Sequence, residues 1–437
     1  MIRRSRLRRI LAPTAGFRKP VALLATGLFA FVLGASISFR DQLPGFVDFL
    51  VRRTNALLTP FVGDEYLDQA RHLFGGLLLL LGFYFVVAGV RMGLRRLFSV
   101  LNPESKSGLA DAFRRRLILA QGPRIVALGG GTGLSTLLRG LKNYSSNITA
   151  IVTVTDDGGS SGRLSQEIGM IPPGDIRNCL VALADAEKSM TDLFQHRFSA
   201  QSGSLSGHSL GNLLIAALVN QAHGDFERAI EIASDVLAIR GRVVPSTLAH
   251  VSLKALVEDG EELAGETNIV SSGRRIRRVF LDPGDVQAHE AAIAAIAEAD
   301  LICIGPGSVF TSVVPNLLVT GIAEALEHAE AKKAYICNVM TQRGESDSFT
   351  ASEHVTAIRA NVDRRIFDYV MVNTGVPSPS TLDKYREAGQ FLVDPDIDRI
   401  RAMGYRVLAG DFMNESDLVR HDPMRIAARL VALVEKR

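Results

Sequence analysis

A glycine-rich turn follows a short apolar run at residues 125–135, where the sequence reads IVALGGGTGLS. Such a turn leaves backbone N–H groups uncovered, so that a phosphate can approach without meeting a Cβ atom. Thr132 adds a hydroxyl group, and the helix that follows adds the positive end of its dipole. The spacing fits neither G-x-G-x-x-G nor a Walker A loop. We predict phosphate or nucleotide binding at this turn, with a purely structural tight turn as the alternative.

A turn rich in carboxylates comes after the next apolar run, in the sequence TDDGGSSGR at 155–163. Asp156 lies where the second strand of a doubly wound fold offers an acid to a ribose. Asp156 and Asp157 could instead hold Mg²⁺ through water, and Arg163 could pair with a phosphate. An Asx turn or a helix cap is the structural alternative.

Two further polar turns precede predicted helices. The sequence PPGDIRN at 172–178 predicts Asp175 as a helix N-cap, with Arg177 and Asn178 in the first turn, facing any ligand at that end. The sequence GHSLGN at 207–212 matches the G-x-S-x-G nucleophile elbow of hydrolases, but no buried strand precedes it. We therefore predict another helix N-terminus there, with His208 near a ligand or purely structural.

Two more apolar runs end in polar turns, GPGS at 305–308 and NVMTQ at 338–342. The carboxyl ends of parallel strands meet at one edge of a sheet, and ligands of open α/β folds bind at that edge. We therefore expect five turns to converge on one site for a large, polar, phosphate-bearing ligand.

The elements that position these turns alternate between β-rich runs and helical periodicity from residue 124 onward. Continuous apolar strands between helices predict a doubly wound α/β domain with a mostly parallel, Rossmann-like sheet. Residues 243–281 alternate with a period of two, which predicts a small β insertion. We interpret its arginines, from Arg274 to Arg278, as charges that protect an exposed edge strand from pairing with other chains, with phosphate binding as the alternative.

The N-terminal region has two uncharged apolar segments, at about 20–39 and 73–90. At 1.5 Å per residue they span about 27–30 Å, close to a bilayer core. We predict a two-helix membrane anchor over 1–95, a juxtamembrane linker over 96–123 and one large domain over 124–437. The basic flanks put the N-terminus and that domain in the cytoplasm. A cleaved signal peptide is the alternative for the first segment, but its apolar stretch is longer than usual.

Charge and cysteine content exclude several classes of protein. Residues 1–123 carry 18 Lys and Arg against 7 Asp and Glu, whereas the remainder carries 31 against 39. The large domain is therefore acidic, which argues against a nucleic-acid partner. The three cysteines are far apart and form neither a disulfide framework nor a zinc motif.

Taken together, the turns resemble the YvcK/CofD-like family over about residues 124–437. The motifs that carry the resemblance are ALGGGTGLSTLLRGLK at 127–142, TVTDDGGSSGRL at 153–164, PPGDIRNCL at 172–180, GHSLGNLL at 207–214, IGPGSVFTSVVPNLLV at 304–319 and CNVMTQRGESDSF at 337–349. Within the family the chain looks closest to the YvcK branch, often called gluconeogenesis factors.

The resemblance implies a CofD-like fold and binding of a nucleotide sugar of the UDP-N-acetylglucosamine type. It also implies support of cell-wall growth and cell shape when carbon enters through gluconeogenesis. The other branch comprises 2-phospho-L-lactate transferases, which use a nucleotide-diphosphate donor and Mg²⁺. Turns and resemblance together predict these ligand-binding residues: Gly129, Gly130, Gly131, Thr132, Gly133, Asp156, Asp157, Arg163, Asp175, Arg177, Asn178, His208, Asn212, Gly307, Ser308 and Asn338.

Two hypotheses stay open. In one, the domain is a sensor that binds the nucleotide sugar and acts on a partner enzyme of amino-sugar or wall synthesis. In the other, it is a transferase, with Asp156 and Asp157 as the Mg²⁺ ligands. We favour the sensor and assign no catalytic residue, because the sequence has no evident nucleophile with a paired base. Self-association of the chain is left open.

Overall fold

The computed structural model describes residues 14–38, 45–60, 66–101, 109–185, 188–415 and 418–435. The chain divides into two compact units, Met1–Arg115 and Arg116–Arg437. The second unit begins somewhat before the predicted domain start at 124, because the helix Leu109–Ala120 crosses the division.

The N-terminal unit is helical. It contains α1 (Thr14–Ser38), α2 (Phe46–Leu58) and α3 (Leu67–Leu101), and the helix at its end is α4 (Leu109–Ala120). Helices α1 and α3 pack with their backbones close together. A Cβ atom on Gly27 would lie 2.7 Å from the Val86 nitrogen, and one on Gly82 would lie 2.5 Å from the Phe31 nitrogen. Glycine is therefore needed at this crossing.

Within the described residues, one helix, His72–Gly93, is long and apolar enough to cross a membrane, with a mean hydropathy of 2.4. The apolar part of α1 is the shorter stretch Val21–Leu33. The predicted first span ends at residue 39, which lies outside the described residues, as do 102–108 of the predicted linker. The two-span anchor therefore stays a prediction.

The second unit is built on a seven-stranded sheet in the order β3-β2-β1-β7-β8-β9-β10. All six neighbouring pairs are parallel, so the predicted doubly wound parallel fold is confirmed. Its strands are β1 (Ile125–Gly129), β2 (Ile148–Val152), β3 (Arg242–Pro245), β7 (Leu301–Ile304), β8 (Lys332–Ile336), β9 (Tyr369–Asn373) and β10 (Arg406–Gly410).

Helices cover both faces of this sheet, which explains why its strands are continuously apolar. In β1, Ile125 and Ala127 belong to one buried cluster, whereas Val126 and Leu128 belong to the other. The further helices of this unit are α5 (Gly131–Leu141), α6 (Gly159–Ile168), α7 (Gly174–Leu183), α8 (Lys188–Gln195), α9 (Leu210–Gln221), α10 (Phe226–Leu237), α12 (Glu290–Glu298), α13 (Val314–Leu318), α14 (Ile322–His328), α15 (Ala351–Val362), α16 (Pro379–Glu387), α17 (Ile397–Ala402) and α18 (Pro423–Val431).

The insertion is a separate three-stranded antiparallel sheet, and its first two strands form a hairpin. Its strands β4 (Ser252–Val257), β5 (Glu262–Ala264) and β6 (Ile276–Asp282) lie in the order β5-β4-β6, and α11 (Glu266–Ser271) connects β5 to β6. The predicted range of 243–281 starts too early, because residues 242–245 pair with β2 as the edge strand of the main sheet. Arg274 pairs with Glu261 and Asp259, in agreement with a charged edge.

Three local expectations differ from the structure. Pro173, and not Asp175, occupies the N-cap of α7, and Asp175 lies within the first turn. The sequence at 316–329 predicts one helix, whereas the structure has the two helices α13 and α14, because Gly321 adopts a φ of 97° between them. The sequence also gave no sign of the two-stranded hairpin formed by β11 (Met413–Glu415) and β12 (Val419–His421).

Candidate functional site

The candidate site lies where the strand order reverses, between β1 and β7. The turns after these two strands touch each other. A Cβ atom on Gly133 would overlap the carbonyl oxygen of Pro306, and one on Gly130 would lie 2.5 Å from Asp175 Oδ2. Gly131 has a φ of 62°, which favours glycine. The close packing around this turn therefore requires glycine at these positions.

A cleft of about 350 Å³ opens between these turns and the C-terminal part of the domain. We call its first side the glycine wall, lined by Gly130, Gly131, Thr132, Gly133, Thr136, Pro306, Gly307, Ser308 and Ser312. We call its second side the C-terminal wall, lined by Val339, Met340, Thr341, Gln342, Tyr385, Gln390, Leu418, Val419, Arg420 and His421. Asn338 lies between the two.

The glycine wall has the chemistry of an anion site. It offers backbone N–H groups at the start of α5 and the hydroxyls of Thr132, Ser308 and Ser312. Asn338 fixes the second turn, because its Oδ1 accepts the N–H of Gly307 at 3.2 Å and its Nδ2 donates to the Gly307 carbonyl at 3.0 Å. Arg420 is exposed and makes no ion pair among the described residues, so its charge is free for a ligand.

Buried side chains hold the turn after β7 in place. One oxygen of Glu345 accepts the N–H groups of Phe310 at 2.8 Å and Thr311 at 2.9 Å. Burial raises the pKa of Glu345, against the effect of these hydrogen bonds. Asn316 Nδ2 donates to the carbonyls of Gly129 and Ser312. The helical turn that follows Ser308 therefore has its first N–H groups occupied by a protein carboxylate.

Acidic side chains lie next to the glycine wall. Burial and then the Asp156 carboxylate raise the pKa of Asp175 to about 6. Burial, followed by the charges of Asp156 and Asp175, raises the pKa of Glu266 to about 9. Glu266 begins α11, so the β insertion delivers this residue to the site. No sequence motif pointed to Glu266, because the pattern of the insertion predicts a separate element.

The pair predicted to hold Mg²⁺ is engaged with the backbone. Asp157 Oδ1 accepts the N–H of Thr267 at 2.9 Å and its hydroxyl at 2.7 Å, and Asp156 Oδ1 accepts the N–H of Gly158 at 3.0 Å. Among the described residues, no three His, Cys, Asp or Glu side chains converge as metal ligands. These residues therefore do not fit a metal site built by the protein alone.

The remaining predicted residues form a polar network behind Asp175. Arg177 is buried and donates to Ser209 Oγ, to Asn212 Oδ1 at 3.0 Å and to Asn178 Oδ1 at 2.8 Å. Burial lowers the pKa of Arg177. The Ser209 hydroxyl also caps α9 by accepting the N–H of Asn212, as expected for a helix N-terminus rather than a nucleophile elbow.

His208 belongs to the same network. Its Nδ1 lies 3.1 Å from Ser160 Oγ, which also accepts a hydrogen bond from Asn212 Nδ2 at 3.0 Å. Burial and the charge of Arg163 lower the pKa of His208. Arg163 itself donates to the Ser206 carbonyl at 2.7 Å.

The predicted site residues thus fall into two groups. Those that line the cleft are Gly130, Gly131, Thr132, Gly133, Gly307, Ser308 and Asn338, with Gly129 at the end of the strand below them. Those in the acidic group and the polar network are Asp156, Asp157, Arg163, Asp175, Arg177, Asn178, His208 and Asn212. Residues 339–342 of the C-terminal wall belong to the NVMTQ turn that the sequence analysis singled out, whereas no sequence motif pointed to the rest of that wall.

Comparison with known proteins agrees with this architecture. The family model described as 2-phospho-L-lactate transferase CofD matches residues 125–413. The gluconeogenesis factor of Bacillus subtilis is 48% identical over 319 residues, which are 73% of this chain and 100% of that protein. A relative from Nostoc sp. is 46% identical over 378 residues, 86% of this chain and 82% of its own length.

A solved structure gives the same result. The crystal structure of a UPF0052 family protein from Bacillus halodurans has a TM-score of 0.68 at 46% identity, and the match covers 71% of this chain and 99% of that one. The parallel sheet, the two glycine-rich turns at its edge and these matches all indicate the same family. The chain therefore belongs to the CofD-like family, in which it groups with the gluconeogenesis factors.

Proposed function

We propose that residues 116–437 bind a nucleotide sugar of the UDP-N-acetylglucosamine type in the switch-point cleft. Binding regulates a partner enzyme of amino-sugar or cell-wall synthesis and thereby supports cell shape during growth on gluconeogenic carbon. The observation that carries the proposal is the cleft itself, in which the N–H and hydroxyl groups of the glycine wall face a C-terminal wall whose charged side chain is Arg420.

The phosphate half of the ligand is argued from charge and geometry. The N–H groups of Thr132 and Gly133 and the guanidinium of Arg420 suit a diphosphate, because these donors have no protein acceptor among the described residues. The N–H groups of Gly131 and Gly307 are already bonded to Asp175 and Asn338. A volume of about 350 Å³ is in the range of small-molecule sites, roughly 300–1,000 Å³.

A regulatory role is favoured because the hydroxyl group of Ser209 is already engaged in hydrogen bonds and is not poised as a nucleophile. Ser209 is bonded to Arg177 and to the backbone of Asn212, and no nucleophile with a paired base lines the cleft among the described residues. The alternative is a phospholactate-type transferase, which the name of the family model favours. Asp175, with its pKa raised to about 6, is then the residue able to accept a proton.

A membrane location is the second part of the proposal. Helices α1 and α3 pack through Gly27 and Gly82, and this pairing leaves large apolar side chains uncovered. Phe29 is 70% exposed, Leu73 75% and Leu80 72%. Exposed apolar surface costs about 25 cal/mol per Å² in water, a cost that lipid removes. The domain then lies on the cytoplasmic side, where the basic flanks of both segments belong.

Calorimetry on the full-length chain in detergent tests the ligand. We expect saturable binding of UDP-N-acetylglucosamine, at least tenfold weaker in Arg420→Ala and unchanged in Arg399→Ala, an exposed arginine outside the cleft. Phosphorus NMR with Mg²⁺ and phospholactate present should show the nucleotide unchanged. A new phosphorus species supports the transferase, and absence of binding overturns the proposal.

Carbonate extraction of cell membranes tests the anchor. The full chain should stay in the membrane pellet, whereas residues 116–437 expressed alone should be recovered in the supernatant. Release of the full chain by carbonate contradicts the anchor and leaves the ligand proposal intact.

A further inference from the structure

Helix α2 (Phe46–Leu58) connects the two long helices of the N-terminal unit and contacts both of them. Gly27 packs against Val86, and Gly82 packs against Phe31. Because an earlier residue of α1 meets a later residue of α3, these two helices run in opposite directions. In the membrane location proposed for this unit, α2 therefore lies at the non-cytoplasmic side of the bilayer.

The exposed side chains that the structure describes in α2 share one face of the helix. They occur at positions 49, 52, 53, 56 and 57, a spacing that places residues on one side of an α-helix. We call this side the outer face of α2, which consists of Phe49, Arg52, Arg53, Ala56 and Leu57. The outer face thus combines two large apolar side chains with two cations.

Burial in α2 does not extend to the apolar side chains of the outer face. Thr54 is buried, and so is the side-chain oxygen of Asn55, whereas Phe49 is 56% exposed and Leu57 70%. A helix packed on a water-soluble protein normally turns its large apolar side chains towards the protein, because apolar area left in water is costly. The outer face is therefore suited to an apolar medium rather than to water.

The two arginines of the outer face form no ion pair among the described residues. Arg52 Nε donates to the Asp48 carbonyl at 3.3 Å, and Arg53 Cζ lies 6.0 Å from the centre of the Phe49 ring. Both guanidinium groups therefore retain N–H donors for an anion, and their fork geometry matches a phosphate group.

A phospholipid layer offers both kinds of partner at the required positions. Its phosphates lie directly above its acyl chains, and helices at such a boundary bind with apolar and aromatic side chains next to arginines. Helix α3, which α2 contacts, exposes Leu73 near its own start. The lipid that surrounds the proposed anchor is therefore available to α2 as well.

We propose that the outer face of α2 is a docking surface for anionic phospholipid, in which Phe49 and Leu57 enter the acyl chains while Arg52 and Arg53 bind lipid phosphates. The inference rests on the membrane location in the proposed function, because α2 meets lipid only when α1 and α3 lie in a bilayer. It adds a lipid-binding surface outside the two long helices and the class of lipid that this surface selects.

Tryptophan fluorescence tests the docking, because the chain has no tryptophan of its own. Phe49→Trp places a single reporter on the outer face of the full-length chain, reconstituted in phosphatidylcholine vesicles. We expect its emission to be shifted to the blue and to be quenched by lipids that carry bromine on the acyl chain close to the headgroup. Val376→Trp is the control on the large domain, where Val376 is 68% exposed, and it should show neither effect.

A third reporter separates failure of this inference from failure of the anchor. Leu80 is exposed near the middle of the apolar helix His72–Gly93, so Leu80→Trp should be quenched most strongly by bromine near the acyl chain ends. Quenching of Leu80→Trp without quenching of Phe49→Trp overturns the inference and leaves the anchor intact. Absence of lipid quenching in both overturns both. A blue-shifted Phe49→Trp that no brominated lipid quenches also overturns the inference, because protein then covers the outer face.

Competition between lipids tests the two arginines in the Phe49→Trp chain. Unbrominated phosphatidylglycerol, mixed with brominated phosphatidylcholine, should protect the reporter from quenching better than unbrominated phosphatidylcholine does. We expect a preference for the anionic lipid of up to about fivefold for each arginine, weaker at high salt. Replacing both residues, Arg52→Gln with Arg53→Gln, should abolish the preference, whereas Arg399→Gln, at an exposed site of the large domain, should keep it. A preference that survives the double replacement contradicts the assignment of these arginines to lipid phosphates.

Discussion

Replacing Glu266 by Gln should make the domain more stable at neutral and alkaline pH. Burial and the surrounding carboxylates raise the pKa of Glu266 from an ordinary value of 4.5 to about 9. The native state therefore keeps a proton that the unfolded chain releases, and stability falls as pH rises from about 4.5 towards 9.

The size of the effect follows from the shift. Each pH unit in this window costs about 1.4 kcal/mol, so at pH 7 the cost reaches an upper figure of about 3 kcal/mol. Glutamine has the shape of the protonated acid and carries no charge, so the variant escapes this cost. We expect Glu266→Gln to be more stable than the parent by up to about 3 kcal/mol at pH 7 and by less than about 1 kcal/mol at pH 5.

Urea unfolding followed by circular dichroism between pH 5 and pH 8 measures this difference. Residues 116–437 are suitable, because they form a compact unit of their own and the crystallised relative matches 71% of this chain over 99% of its own length. Glu262→Gln is the matched control, since Glu262 is exposed on the same insertion, and it should leave the pH dependence unchanged. Equal pH slopes in the parent and in Glu266→Gln would refute the reasoning, because Glu266 would then be ionised in the native state.

Two further substitutions test the packing of the site. Gly133→Ala places a Cβ atom against the Pro306 carbonyl. It should lower the stability measured by thermal unfolding by about 1–3 kcal/mol and weaken ligand binding. Gly284→Ala is the control and should do neither, because a Cβ atom there would lie 3.4 Å from its nearest neighbour. Asp157→Ala removes both hydrogen bonds to Thr267 and should lower the free energy of unfolding by about 1 kcal/mol. Asp157→Asn keeps an acceptor oxygen and should lower it by less. Equal losses of stability in the two variants would show that capping of α11 is not the reason.

The glycine wall could be predicted because its signals are local. An apolar strand, a glycine turn and a helix follow one another within residues 125–141. The continuous apolar pattern of β1 reflects its burial on both faces, and parallel strands bring their carboxyl ends to one edge. The turn after β7 obeys the same rule, so the meeting of the turns after β1 and β7 could be predicted from the order of strands and helices.

The other parts of the site depend on contacts between distant residues. Asp157 and Thr267 are 110 positions apart, and neither residue type reveals that one caps the helix of the other. Glu266 reaches the site through the same contact, because α11 begins next to Asp157. The strands β11 and β12 have three residues each, too few to show a periodic pattern.

The raised pKa values have a direct bearing on how an acidic group can lie beside an anion site. Asp175 approaches Gly130 within the glycine wall, and an ionised carboxylate there repels a diphosphate. Burial keeps Glu266 protonated at neutral pH, so this residue adds no negative charge to the site. Asp175, with a pKa of about 6, is mostly ionised at pH 7 and gains its proton only below that pH. A phosphate ligand is therefore favoured by mildly acidic pH, and Arg420 supplies the positive charge that the glycines lack.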